Sequence, residues 1–336
     1  MTVRRLHAVG LTSAALVFAA CSSSGTDTPE RSIPASTAAS PTPGSSAPSS
    51  SVNPTPTTSA VALPWPPASV APFSGAPELA QALDDADRTI VDPSSDATQV
   101  QRAGVREQML LQYLARHSEL DAEVLAALTP TSRAAIGRHI DARNAARAHA
   151  AAQPTPAPPP ATLPAFTIVT PEPVDTLLTS YHEAERLTGV PWYWLAAINV
   201  QETRTGRIVG VSSAGAVGPM QFLPSTWKGC CTGDPTVSRD AIVGAARFLT
   251  LSGAPGDMAG AVHHYNPNDA YVAAVTAFAE NMRDQPARYA AYHAWQVFVS
   301  TGVGVVRLPV GYSQTQPIDA AVYVADHPDD LAALPN

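Results

Sequence analysis

A long run of small and polar residues limits how much of this chain can fold. Residues 22–72 are mainly Ser, Thr, Pro and Ala, with few charged and few aliphatic side chains. Such a segment cannot bury enough apolar surface to offset the entropy lost on ordering. A second proline-rich run occupies residues 153–164. The sequence therefore predicts a disordered tether over 21–72, a linker at 153–164, and folded regions at 73–152 and 165–312.

The N-terminus has the features of an export signal followed by a lipidation site. Arg4 and Arg5 precede an apolar run, residues 11–20, that is too short to cross a bilayer as a helix. The run ends in two alanines and Cys21, which resembles a bacterial lipobox with Phe18 in place of the usual Leu. We expect cleavage before Cys21 and acylation of its thiol. The alternative is an ordinary signal peptide cleaved at the same place.

The charge of the chain excludes some partners. The formal net charge is −8 at pH 7, and loss of the signal peptide, residues 1–20, removes two arginines and makes the protein more acidic. An acidic protein is a poor ligand for nucleic acid or for anionic lipid. The sequence therefore predicts an extracytoplasmic protein that is attached to the cell membrane through its lipid, with no nucleic-acid partner.

Glu202 is the first candidate for catalysis. Pro191 suits the first position of a predicted helix, and Gly189 and Gly206 bracket the segment as stop signals. Within it Leu195, Ile198 and Glu202 recur at helical spacing. The carboxyl thus continues a row of buried residues, and apolar surroundings raise a carboxyl pKa toward the range that a general acid needs. The alternative is a solvated glutamate paired with a nearby arginine, which is the commoner state of a helix glutamate.

The loop that follows is suited to binding a sugar. Ser212 lies three residues before Gly215, and Gly218 follows, so the backbone can turn tightly and approach a ligand closely. Sugar rings bind to mixed surfaces, in which apolar groups pack and a few polar groups fix the orientation. The loop offers the following side chains of this kind: Met220, Gln221, Phe222 and Trp227.

These motifs in order resemble those of a known enzyme family. Glu-Thr at 202–203, Gly-Pro-Met-Gln at 218–221, Phe-Leu-Pro-Ser-Thr-Trp at 222–227 and Tyr-Asn at 265–266 are similar to the successive motifs of lytic transglycosylases. The membrane-bound B-type branch is the nearest in pattern. The resemblance covers about residues 171–283, which is under half of the chain.

The resemblance implies a mostly α, lysozyme-like catalytic domain with one catalytic acid, Glu202. Ser212 and Gln221 would line the cleft and hold the substrate, and Tyr265 and Asn266 would face them. The implied substrate is the glycan strand of peptidoglycan, cut between N-acetylmuramic acid and N-acetylglucosamine with formation of 1,6-anhydro ends. No cofactor is implied. Met220 and Phe222 are expected to contact the substrate through their apolar surfaces.

Two other functions fit the residues. A hydrolytic muramidase would use a water and a second carboxylate, for which Asp234 and Asp240 are candidates. We expect both to be structural, because turn and helix-start positions explain them. A lipoprotein that binds peptidoglycan without cutting it is the third possibility. Its expected signature, loss of the acid, is absent because Glu202 is present.

The adjacent Cys230 and Cys231 are predicted to form a disulfide with each other. The chain has three cysteines, and acylation of Cys21 would leave this pair without another partner. The alternatives are reduced thiols or a link to another chain. Two cysteines lack the further ligands that structural zinc needs, so no metal is expected despite His263 and His264.

The remaining segments are predicted from their periodicity. Residues 73–152 form about four helices, and the sequence leaves open whether they have their own core or pack on the catalytic domain. Residues 296–299 and 303–308 suit a short β-hairpin. The tail, residues 313–336, contains three prolines and is expected to be irregular.

Lipidation at Cys21 is directly testable. Cells that express the protein and are fed a clickable fatty-acid analogue should label the wild-type chain. The Cys21→Ser variant should remain unlabelled, because it lacks the thiol that is acylated. Equal labelling of the two proteins would rule out this attachment.

Overall fold

The computed structural model describes residues 73–154 and 158–332. The predicted signal peptide, the lipidation site at Cys21 and the tether over 21–72 lie outside these residues. All described residues belong to one compact unit.

The described residues are mostly helical with a few short antiparallel strand pairs, which confirms the mostly α character predicted from the sequence. None of their helices combines the length and the apolar content that crossing a bilayer requires. The α-helices in chain order are α1 (Ala76–Val91), α2 (Ala97–Arg116), α3 (Asp121–Ala127), α4 (Pro130–Ala151), α5 (Val174–Thr188), α6 (Trp192–Thr203), α7 (Pro224–Cys230), α8 (Ser238–Leu251), α9 (Met258–Tyr265), α10 (Asp269–Asp284), α11 (Arg288–His293) and α12 (Ala320–Asp326).

Within residues 73–154 and 158–332, three antiparallel pairs of short strands accompany the helices. β4 pairs with β5 in the predicted hairpin, with Val299 opposite Val306, and the pairs β1–β6 and β2–β3 join segments that are distant in sequence. The strands are β1 (Thr162–Leu163), β2 (Thr167–Ile168), β3 (Ile208–Val209), β4 (Val297–Thr301), β5 (Gly304–Leu308) and β6 (Ile318–Asp319).

The first four helices share their hydrophobic core with the rest of the chain. Leu79 of α1 and Leu110 of α2 belong to the same buried cluster as Ile198 of α6 and Phe278 of α10. α4 packs along α10, and α2 packs along α11. The question that the sequence left open is thus answered, since the helices of residues 73–152 pack on the region that contains Glu202.

A buried ionic cluster joins the same two parts of the chain. Arg288 of α11 pairs with Asp87 of α1 and, at 3.0 Å, with Glu107 of α2. Ser132 of α4 donates a hydrogen bond to Asp87 Oδ2 at 2.7 Å. Removing one partner of a buried ion pair leaves an uncompensated charge, which is strongly destabilising. Removing the first four helices would therefore leave Arg288 without its carboxylate partners.

The end of the predicted linker and part of the predicted tail contain secondary structure that the sequence did not predict. β1, at the end of the predicted linker 153–164, pairs with β6 in the tail, and α12 follows β6. The side chain of Asp319 caps α12 by accepting from the backbone N–H groups of Ala321 and Val322. Two-residue strands are too short to show a hydrophobic period, so only their pairing reveals them. The expectation of an irregular tail over 313–336 is corrected for residues 318–326.

A second, smaller hydrophobic cluster results from these pairings. It lies among the short strands and α12, and it includes Leu163, Ile168, Ile208, Val306 and Tyr323. Ile208 belongs to β3, the strand between the Glu202 helix and the Ser212 loop. The ordered tail thus supports the backbone that leads into the candidate site.

The close packing of α2 on α11 generates a stability test. A Cβ added at Gly104 would lie 2.5 Å from the carbonyl oxygen of Ala291, so we expect Gly104→Ala to lower the free energy of unfolding by about 1–3 kcal/mol. Denaturant unfolding measures the change.

Gly137→Ala is the matched control within α4. Its added Cβ would meet only a Leu125 methyl group at 3.8 Å, and alanine is preferred over glycine inside helices by roughly 0.5–1 kcal/mol. We expect this variant to be as stable as the wild type or more stable. An equal loss in both variants would contradict a specific clash at Gly104.

Candidate active site

Glu202 lies in the last turn of α6, the helix at the centre of the larger core. Leu195 and Ile198 are both 0% exposed, which confirms that the predicted row faces the interior. α6 packs against α5, α8 and α10. Glu202 itself is only partly buried, so the buried row reaches the edge of the core at this residue.

The surroundings of Glu202 change its acidity. Burial raises the pKa of the carboxyl from 4.5 to about 7, and a hydrogen bond from Tyr271 acts in the opposite direction. The Tyr271 hydroxyl donates to Glu202 Oε1 at 2.6 Å. A carboxyl with a pKa near neutrality can hold a proton at physiological pH and also give it up. This is the property that a single acid and base requires.

Two tyrosines surround the carboxyl, and only one of them was predicted. Burial and the charge of Glu202 raise the pKa of both Tyr265 and Tyr271, so both hydroxyls stay protonated. Tyr265 donates to the carbonyl oxygen of Met220 at 2.5 Å. Tyr271 is the one that no motif of the sequence pointed to. The side chain of Asn268 caps α10 and so marks where that helix begins, but no local signal shows that its first turn faces Glu202.

Ser212 closes the loop that follows β3. Its Oγ accepts a hydrogen bond from the backbone N–H of Ala216 at 3.0 Å, and its carbonyl oxygen accepts one from Gly215 N at 2.8 Å. Gly215 has a positive φ of 83°, which favours glycine. Ser212 is half-buried and therefore shapes the loop, while contact with a substrate remains a prediction.

The segment 217–222 forms a second tight loop. Val217 and Phe222 pair through two backbone hydrogen bonds, and Gln221 Nε2 donates to the carbonyl oxygen of Gly218 at 3.0 Å. Gly218 has a φ of 76°, and a Cβ there would lie 1.9 Å from the carbonyl oxygen of Pro235. Only glycine fits at this position. Gln221 is half-buried at the tip of the loop.

The apolar residues of this loop face the core. Met220 is 0% and Phe222 3% exposed. The Phe222 ring packs edge-on against Trp227, with centroids 5.0 Å apart, and against Tyr265 at 5.7 Å. This packing supports the loop from behind, whereas contact of Met220 and Phe222 with a substrate stays a prediction. Asn266 is also buried, at the C-terminal end of α9, and its proposed contact with substrate stays a prediction as well.

Four further predicted residues lie between the end of α7 and the first turn of α8. Cys230 and Cys231 are joined by a disulfide at the end of α7. Asp234 Oδ1 accepts from the backbone N–H of Thr236 at 2.8 Å, and Asp240 Oδ2 accepts from the N–H of Asp234 at 3.0 Å. Both carboxylates therefore stabilise the turn before α8. Within the described residues, no cluster of His, Cys, Asp and Glu side chains could hold a metal ion.

Comparison with known proteins adds no relative. No protein-family model, no curated protein and no solved structure matches this chain.

The raised pKa of Glu202 predicts how the stability of the protein depends on pH. The unfolded carboxyl ionises near pH 4.5 and the folded one near 7, so the unfolded state loses its proton first and stability falls as the pH rises through this window. Glu202→Gln cannot ionise. Between pH 4 and pH 8 we expect the free energy of unfolding of this variant to rise by roughly 1–3 kcal/mol relative to that of the wild type.

Urea unfolding at the two pH values measures this gain. Tyr271→Phe removes the hydrogen bond that lowers the pKa, and its decline in stability should extend to higher pH than that of the wild type. A difference between Glu202→Gln and wild type that is the same at both pH values would contradict a raised pKa.

Proposed function

We propose that this protein is a peptidoglycan lytic transglycosylase. It cleaves the β-1,4 bond between N-acetylmuramic acid and N-acetylglucosamine and leaves 1,6-anhydro ends. The observation that carries this proposal is Glu202, a partly buried residue at the end of α6 whose carboxyl pKa is raised to about 7 by burial. The order of the motifs and the helical surroundings of Glu202 support a lysozyme-like arrangement of α5 to α10.

One carboxyl performs both halves of the reaction. Protonated Glu202 donates its proton to the glycosidic oxygen, and the bond from that oxygen to C1 of the muramyl residue breaks. The carboxylate then takes the proton of the muramyl C6 hydroxyl, whose oxygen bonds to C1 and closes the anhydro ring. The proton is thus returned to the enzyme, and no water is consumed. The substrate's N-acetyl group can stabilise C1 between the two steps.

Tyr271 orients the acid for this exchange. Its hydroxyl is bound to Glu202 Oε1, which leaves Oε2 as the oxygen that carries the reacting proton. The raised pKa of Tyr271 keeps its hydroxyl a donor in both steps. The phenol therefore stabilises the carboxylate after proton transfer and prevents rotation of the carboxyl.

The two alternative functions have less support. A hydrolase needs a second free carboxylate on the opposite side of the sugar, and Asp234 and Asp240 are both engaged in the turn before α8. A protein that only binds glycan has no use for a buried acid, which reduces stability when it ionises. The single-acid mechanism uses that feature.

The cellular location follows from the N-terminal motif. A lipid on Cys21 would hold the enzyme at the outer face of the cell membrane. The 21–72 segment would then let it reach the glycan strands of the cell wall. The proposed reaction uses no cofactor, and we propose no nucleic-acid partner.

The products separate the three functions. Purified full-length protein is incubated with peptidoglycan, and the released muropeptides are weighed by mass spectrometry. We expect anhydro ends, each lighter by one water than a hydrolysed end. Glu202→Gln should reduce release by roughly 10²- to 10⁴-fold, the usual contribution of a general acid.

Asp240→Asn is the matched control for loss of a carboxylate. It should keep most of the activity, because the Asp240 carboxylate accepts a backbone hydrogen bond in a turn and pairs with Arg239. Reducing ends in the products would identify a muramidase. No release by the folded wild type would favour the binding lipoprotein, and anhydro ends that persist in Glu202→Gln would show that another group is the acid.

A further inference from the structure

Two buried polar side chains connect α6 to the loop at 217–222. The carbonyl oxygen of Pro219 accepts a hydrogen bond from Thr203 Oγ1 at 2.6 Å and another from Asn199 Nδ2 at 2.8 Å. Both donors are almost inaccessible, at 1% and 0% exposure, so water does not compete for these bonds. Thr203 is the residue after Glu202, which makes the connection short.

The hydroxyl of Thr203 has a second partner in the backbone. It accepts a hydrogen bond from Gly206 N at 2.9 Å, and it also accepts one from Asn199 Nδ2 at 3.3 Å, since a hydroxyl has one donor and two acceptor sites. The Gly206 N–H ends a turn in which Arg204, Thr205 and Gly206 all have positive φ, at 55°, 61° and 85°. Non-glycine residues hold this conformation only where surrounding contacts impose it. One hydroxyl therefore fixes both the chain leaving α6 and the loop.

A buried tyrosine pair fixes the direction of the neighbouring amide. Tyr181 OH donates to Asn199 Oδ1 at 2.6 Å, and Tyr289 OH donates to Tyr181 OH at 3.3 Å. Because its oxygen is already an acceptor, Asn199 must direct its NH₂ group toward Pro219. The loop is thus bound to a network that reaches α5 and α11.

We propose that Thr203 is a positioning residue that holds the 217–222 loop, and with it the side chain of Gln221, in register with the carboxyl of Glu202. This inference rests on the proposed function of the site. Gln221 has a positive φ of 49°. A non-glycine residue keeps this conformation only where surrounding contacts impose it. Without the bonds to Pro219, the loop can move relative to the acid while the acid keeps its own surroundings.

Three variants test this role. Thr203→Val removes the hydroxyl and keeps the shape, and Thr203→Ser keeps the hydroxyl. Thr301→Val is the matched control in the β4–β5 hairpin, since Thr301 is also buried and donates to the carbonyl oxygen of Gly304 at 2.8 Å. The kcat and KM for release of anhydro ends from peptidoglycan strands are measured with each purified full-length protein across pH.

We expect Thr203→Val to lower kcat by about 100-fold, the effect of misplacing a group by about 1 Å. The pH at which its kcat declines should match that of the wild type, because the burial of Glu202 and its bond to Tyr271 are unchanged. Thr203→Ser should recover most of the loss, and Thr301→Val should keep the wild-type kcat. A normal kcat in Thr203→Val, no recovery in Thr203→Ser, or a shifted pH profile would each overturn the inference.

Hydrogen exchange supplies a readout that needs no activity. In Thr203→Val the backbone N–H groups of Gln221 and Phe222, which are bonded within the loop, should exchange faster than in the wild type. They should be unchanged in Thr301→Val. If the wild type releases no product, the proposed function fails, and exchange still decides whether Thr203 holds the loop. Unchanged exchange in Thr203→Val overturns the positioning role.

Discussion

Enclosing an ionisable carboxyl in apolar structure is the constraint on which the site depends. Burial on α6 raises the pKa of Glu202 to about 7, so the fold must tolerate a group that destabilises it when charged. The hydroxyl of Tyr271 reduces this penalty by donating to one carboxyl oxygen. Burial and the charge of Glu202 also raise the pKa of Tyr265, whose hydroxyl donates to the carbonyl oxygen of Met220. Acidity, orientation and loop placement therefore depend on a small set of buried hydroxyl groups.

The helices of residues 73–152 contribute to this arrangement from a distance. α10 carries Tyr271 at its start, and α4 packs along its length. Arg138 of α4 donates to Asn281 Oδ1 at 2.9 Å and pairs with Asp284, near the other end of α10. α10 packs against both α4 and α6, so the N-terminal helices bury part of the helix that carries Tyr271. They complete the core around the site and are not a separate module.

Unusual backbone conformations lie in the two segments that the hydroxyl of Thr203 connects. The residues with positive φ other than glycine in the described part of the chain are Arg204, Thr205 and Gln221. The first two follow the helix of Glu202, and the third is at the tip of the loop connected to it. Such strain persists only where surrounding contacts impose it, and it is common at functional sites. Here the hydroxyl of Thr203 and the amide of Asn199 are among those contacts.

The sequence by itself determined the features that depend on neighbours along the chain. Helical spacing put Glu202 in line with Leu195 and Ile198, Gly189 ended α5 with a φ of 78°, and β-branched residues around a turn formed the hairpin. Capping, periodicity and turn chemistry act over a few residues, so they can be read locally. Tyr271 lies 69 positions from Glu202, and β1 pairs with β6 across most of the second half of the chain. Only the tertiary structure decided these contacts, because the packing of remote segments depends on the whole core at once.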